Sequence, residues 1–299
     1  MRRCLHYIKA SLSTGHPAFL LTILLKQHPI IAYFVLAYAI SWAVELPLVA
    51  SAQGWLQAPI PPAIHYLASF GPLLSALIVT VATEGRQGIR QLLAGLLKWR
   101  VGLGWALFAT LSPIALFVVA AIIGYATTGK WPDLTLLGEV DDLPYLGIVG
   151  GFILWLLTFG LGEEIGWRGY ALPRLQKRHT ALTATLILGI VWALWHLPAF
   201  FYRDTYMAMG LITGFPLFLL SILAASIVFT WLYNSTRGSL LMVIVFHALF
   251  DFLSVFKAGG ASVAAIMSAG VMIWAVLVVI LFKPMNLSHD KKQLVLPVN

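Results

Sequence analysis

The chain has 299 residues, of which 60% are hydrophobic and only 10% charged, with a net charge of +8 and a mean hydropathy of +0.90. A soluble domain carries roughly 25% charged residues, so this composition excludes a water-soluble globule and a disordered chain. It fits a polytopic membrane protein, and a single cysteine, Cys4, excludes an internal disulfide and Cys-based zinc or redox motifs.

Residues 1–29 open with Arg2, Arg3 and Lys9, and Ala18–Leu25 is a brief apolar run with no small-residue cleavage site before Lys26. They read as a cytoplasmic or interfacial lead-in. Apolar stretches of spanning length follow at about 30–51, 63–83, 103–125, 145–164, 181–202, 211–233, 239–256 and 262–282. Long apolar runs make the spans helical, whereas a β-barrel would show short alternating segments. The expectation is an all-α bundle of about eight transmembrane helices, forming a single domain over 30–282. Between the second and third spans, Ile89, Leu92, Leu93, Leu96 and Leu97 recur at helical spacing among Arg86, Arg90, Lys98 and Arg100. That pattern predicts an amphipathic interfacial helix near 86–100. Residues 283–299 form a short polar tail.

With the N-terminus placed in the cytoplasm, sixteen of the nineteen Lys and Arg fall in cytoplasmic segments. Only Lys130, Arg203 and Lys257 lie on the other side, together with Asp133, Glu139, Asp141, Asp142 and Asp204. This is a positive-inside split that puts both termini in the cytoplasm. Topology accounts for the positive charge, and no nucleic-acid partner is needed.

A charged side chain inside a span costs roughly 2.5–3.5 kcal/mol on insertion scales and is a functional candidate by default. Glu45, His65, Glu163, Glu164, His196, His247 and Asp251 are such residues. Glu163 and Glu164 are expected at the cytoplasmic end of the fourth span. Glu164 and Arg168 stand four apart and can pair on one helix face. Glu163 points about 100° away and stays available. His247 and Asp251 are also four apart, so the carboxylate can fix the tautomer of the ring. His196, taken alone, reads more readily as a helix-packing hydrogen-bonder than as a catalyst. Glu45 and His65 fit no motif, and Glu45 reads as a structural or snorkelling residue. Two Glu, two His and an Asp from three apolar segments could converge as an acid–base site.

Glu163-Glu164-x-x-x-Arg168, Trp192-x-x-x-His196 and His247-x-x-x-Asp251 lie in order on separate expected helices. With the flanks Gly162–Gln176, Trp192–Pro198 and Trp231–Asp251, the sequence resembles the CPBP family of type II CaaX prenyl endopeptidases and Abi proteins, in its bacterial form. The resemblance covers about residues 28–256, since Ser69–Ala76 and His28–Trp42 resemble the family's earlier helices. Trp192 stands where the family has Phe, and Asp251 where the best-known members have Asn. The resemblance implies an intramembrane glutamate peptidase with a cavity open to the cytosol. In it Glu163 activates water, His196 shares in holding that water, and His247 and Asp251 occupy the oxyanion positions. Glu164 and Arg168 support the site, and no cofactor is implied. An ionised Asp251 cannot donate to an oxyanion, so its expected part is to orient His247.

The expected partners are the bilayer and a peptide or protein substrate, possibly lipidated, in what would be a bacterial plasma membrane. Three other readings use the same residues. One is a zinc metallopeptidase with Glu163, His196 and His247 as ligands, although His-Glu-x-x-His is absent. Another is a non-catalytic membrane interaction or bacteriocin immunity protein. The last is a transporter or proton relay.

Overall fold

The computed structural model describes residues 25–140, 142–254 and 260–295. Cys4, Asp141, Lys257 and most of the 1–29 lead-in therefore lie outside the described residues. Within them the chain is helical, with no strand. In lipid a helix satisfies its own backbone polar groups, which is why apolar runs of this length fold so. The elements in chain order are α1 (Pro29–Ala52), α2 (Gly71–Ala94, led in by a 3₁₀ segment Pro62–Phe70), α3 (Leu103–Thr128), α4 (Pro144–Gln176), α5 (Ala181–Trp195), α6 (Asp204–Met209), α7 (Leu211–Ser235), α8 (Leu240–Ser254) and α9 (Gly260–Asn286). A 3₁₀ turn, Leu197–Phe201, follows α5.

All eight expected apolar segments are helical, and seven of them are long and apolar enough to cross a membrane. The remaining one, expected at 239–256, is the fifteen-residue α8. At 1.5 Å per residue it is about 22 Å long, short of a hydrocarbon core of about 30 Å. It is enclosed by protein, with Val243, Phe246 and Ala248 buried. The outer helices show the opposite face to their surroundings. In α9, Met267, Val271, Ala275 and Val278 turn inward at helical spacing, while Ile273, Val276 and Ile280 are exposed. A helix apolar all round is one whose outer side meets lipid.

The basic amphipathic stretch is continuous with α2. Gly85 breaks the helix with φ +63°, a conformation in the region that glycine favours, and redirects the chain. Residues 86–94 then run on helically, followed by a 3₁₀ turn, Gly95–Leu97. Arg86, Arg90, Lys98 and Arg100 are exposed, while Leu92 is buried. Arg174 of α4 pairs with Glu84 just ahead of the break. The segment thus docks on the body of the protein through its apolar face.

Helix α9 breaks at Lys283 (φ +59°), and the following segment crosses the ends of α4 and α7. Gln176 Nε2 donates to the Gln293 carbonyl at 2.8 Å, and the Gln293 N–H donates to Asn234 Oδ1 at 3.1 Å. Gln176 and Asn234 are fully buried and also bond each other, so the polar tail satisfies two amides that would otherwise be costly.

Candidate active site

Helix α4 runs on to Gln176 and carries the two glutamates in its interior. Glu163 lies thirteen residues before Gln176, about 20 Å of helix. The helix continues past the apolar limit expected at 164, and the residues that follow are packed in protein. Ile165, Trp167, Arg168, Tyr170 and Leu172 are all buried in protein. A hydropathy reading sees Arg168 as a membrane anchor because it cannot see that charge being matched. His196 sits fifteen residues, about 22 Å, from the start of α5 at Ala181, a distance from the α4–α5 turn comparable to that of Glu163.

Around the glutamates the backbone is π-helical, over Leu156–Glu163 and Ile165–Ala171. Such wide turns occur mostly at functional sites. Two glycines let other elements come close. A Cβ on Gly166 would stand 2.5 Å from the Tyr33 hydroxyl and 2.6 Å from Pro72. One on Gly160 would stand 2.9 Å from the Ile244 carbonyl. This close packing sets α8 beside the glutamates.

The two carboxylates divide as their spacing suggests, onto different partners. Glu164 Oε1 accepts from Arg168 Nη1 at 2.8 Å and meets His247 Nδ1 at 2.8 Å. His247 Nε2 faces Asp251 Oδ2 at 3.3 Å. The imidazole is thus held between two carboxylates, one from α4 and one from its own helix. Arg168 is fully buried, with its guanidinium 4.5 Å from the Trp192 ring centroid and 4.7 Å from that of Phe229. Its Nη2 donates to Ser226 at 3.3 Å. Pairing and aromatic faces are what make such a charge tolerable away from water.

Glu163 belongs to a separate contact. Its Oε2 accepts from Trp192 Nε1 at 2.7 Å. His196 Nδ1 lies 2.8 Å from the Trp192 carbonyl, so that nitrogen carries the proton and donates. The Trp192 ring stands between the two histidines, with centroids 5.9 Å from His196 and 5.5 Å from His247. Glu163, Glu164, Arg168 and His247 are buried, and Asp251 is the most open of the set with 30% of its side chain exposed. Sequence reasoning missed Trp192 as a ligand of Glu163. The signal was the Trp in place of Phe, which adds an N–H donor to an aromatic position. Ser226 and Phe229 carried no signal in the sequence.

The other buried polar residues lie apart from this network. Glu45 is buried, accepting from the Tyr202 hydroxyl at 3.1 Å, and does not snorkel. His65 Nδ1 bonds the Pro62 carbonyl at 2.8 Å and lies 3.6 Å from Asp142. Among the described residues no three His, Cys, Asp or Glu side chains are gathered as a metal-ligand group, Glu163, His196 and His247 included.

Comparison with known proteins gives two findings. Residues 145–253, which contain all of these site residues, match the family described as type II CAAX prenyl endopeptidase Rce1-like. CAAX prenyl protease 2 of Methanococcus maripaludis is 34% identical over 139 residues, covering 40% of this chain and 51% of that protein. The chain thus spans about half the length of the curated relative it matches.

Proposed function

From the match of residues 145–253 to the Rce1-like type II CAAX prenyl endopeptidase family we propose that the chain is a member of it, an intramembrane endopeptidase in which Glu163 activates water. The observation that carries the reading is the state of Glu163. It is a buried carboxylate held by one uncharged donor, next to a second carboxylate already matched by an arginine.

In the proposed reaction Glu163 takes a proton from water as the water oxygen attacks the scissile carbonyl carbon. The carbonyl oxygen becomes an oxyanion. Glu163 then passes the proton to the leaving amine, the C–N bond breaks, and a carboxylate and an amine are released. In its neutral form His196 offers the Nε2 lone pair to the same water, because its Nδ1–H is spent on the Trp192 carbonyl. Glu164 and Arg168 hold the histidine side of the site, and Asp251 orients His247. No cofactor enters this scheme.

The proposed substrate is a membrane-associated peptide or protein segment. The relative's name points to prenylated CAAX tails as the first to try. The charge split between segments supports an orientation with both described ends of the chain on the cytoplasmic side of a bacterial plasma membrane. The test compares membranes from cells making the wild type or Glu163→Gln at equal levels. New protein ends are sought by mass spectrometry, and a quenched prenylated Cys-aliphatic-aliphatic-X peptide is assayed beside its unprenylated twin. Wild-type-only ends and cleavage that survives metal chelators are expected. Equal ends in both strains, with neither peptide cut, would refute the peptidase; chelator-sensitive cleavage would refute the cofactor-free scheme.

A further inference from the structure

The basic stretch after Gly85 closes over a cavity of about 240 Å³, bounded also by the end of α4, the turn between α7 and α8, and the polar tail. That is room for a polar headgroup, not for a single water. Lys98 is anchored in its wall. The Lys98 carbonyl accepts from Ser239 Oγ at 2.7 Å, and its Nζ donates to the Arg237 carbonyl at 2.9 Å. The ammonium keeps its charge and has further N–H groups to give. Among the described residues no carboxylate is in ion-pair contact with it. Arg174, the other cation of the lining, is matched by Glu84. The lining therefore carries one positive charge in excess.

Two more polar groups of the lining lack partners. Tyr233 is 7% exposed, and among the described residues nothing hydrogen-bonds its hydroxyl. Gln91 has its Oε1 buried without a donor. The Lys98 and Tyr233 groups converge. A Cβ placed on Gly238 (φ +82°) would stand 3.4 Å from Lys98 Nζ and 3.4 Å from the Tyr233 hydroxyl, with nothing nearer. Each is 3.4 Å from one open point, so they are at most twice that apart. Two hydrogen bonds of about 2.8 Å to the oxygens of one phosphate bridge such a gap. Beside the cavity, Leu97, Trp99 and Leu103 are 60–79% exposed, an apolar surface of the kind that lipid covers. We propose that the cavity binds the phosphoglycerol headgroup of one anionic membrane lipid, its phosphate between Lys98 and Tyr233 and a headgroup hydroxyl on Gln91 Oε1. A phosphoethanolamine headgroup has no net charge and leaves the excess of Lys98 unmatched. The bound lipid fastens the basic segment to the ends of α4 and α7. Arg174 is eleven residues beyond Glu163 on α4, and the assignment does not depend on the peptidase reading.

The experiment titrates the purified full chain in micelles with phosphatidylglycerol, phosphatidylethanolamine or phosphatidylcholine and counts bound lipid by native mass spectrometry. One phosphatidylglycerol is expected to bind ahead of all others. Lys98→Gln is expected to weaken it about tenfold or more and Tyr233→Phe about threefold or more, as for a charge-assisted and a neutral hydrogen bond. Arg86→Gln with Arg90→Gln removes exposed cations outside the lining and is expected to leave this affinity within about twofold. Each variant is first matched to the wild type in thermal unfolding without added lipid; if Lys98→Gln fails that match, Tyr233→Phe decides. Phosphatidylglycerol bound no tighter than the other two lipids overturns the assignment, as does wild-type affinity in the lining variants. A loss confined to the Arg86 and Arg90 variant also overturns it, since attraction to the basic surface would then account for the binding. Glycerol phosphate that binds as tightly as the lipid would make a soluble anion the occupant and overturn the lipid.

Discussion

The Glu164–Arg168 pair sets the first quantitative expectation. Both side chains are fully buried, 2.8 Å apart and four residues apart on α4. Arg168→Met keeps most of the side-chain volume but leaves a carboxylate buried without its cation. Breaking a buried pair in this way costs about 3–5 kcal/mol. The contacts of the guanidinium with Trp192 and Phe229 go too, worth up to about 2 kcal/mol when desolvated. One effect works against these. Glu164 Oε1 also meets His247 Nδ1, so a proton on that ring can offset part of the lost charge. The expected loss is therefore at the low end, about 3 kcal/mol, read from equilibrium unfolding in mixed micelles. Glu164→Gln in the same chain removes the stranded charge. The double variant should be at least 1.5 kcal/mol more stable than the sum of the two single losses predicts, as is usual for contacting charges. Additive losses would refute the reasoning, since they would mean that neither residue senses the other's charge.

Two further outcomes follow from the geometry. Asp251→Asn should keep substantial activity on the peptide substrate, while Asp251→Ala loses most of it, because the amide oxygen still faces His247 Nε2 and a methyl does not; equal loss in both would remove the orienting part given to Asp251. Gly166→Ala should destabilise by about 1–3 kcal/mol or more and lower activity, because the new methyl would meet Tyr33 and Pro72 at 2.5–2.6 Å, whereas Gly104→Ala in α3, with nothing within 4 Å, should be neutral or slightly stabilising in the same assay.

Much of this was legible before any coordinates, for physical reasons that differ by residue. Apolar runs report helices in lipid directly, so the spans of α1, α3, α7 and α9 lie close to their hydropathy limits. A four-residue spacing reports a shared face, so Glu164 with Arg168 and His247 with Asp251 could be paired from the sequence. Hydropathy fails where charge is matched inside protein, and α4 therefore looked twelve residues shorter than its end at Gln176. It also cannot tell a lipid-facing helix from an enclosed one, which is why α8 looked like a full span. Pairings between elements leave no local trace. Glu164 with His247, 83 residues apart, and Trp192 with Glu163, 29 apart, needed the fold. The same holds for Gln176 and Asn234, whose partner is the polar tail.

The two adjacent glutamates show how the fold decides which carboxylate is chemically available. Coulomb attraction between a carboxylate and a guanidinium in a buried site is far stronger than a hydrogen bond from an uncharged donor. Glu164 has both a guanidinium and an imidazole on the same oxygen, so its charge is spent on holding α4 to α8. Glu163 has an indole N–H, which fixes the direction of the carboxylate without cancelling its charge. One residue along the chain therefore separates a carboxylate matched by two partners from one held by a single uncharged donor. Exchanging their environments would require moving Arg168, and its place is fixed by Trp192, Phe229 and Ser226 on two other helices. In the proposed reaction the base is in this sense chosen by α5 and α7, neither of which carries a carboxylate of its own.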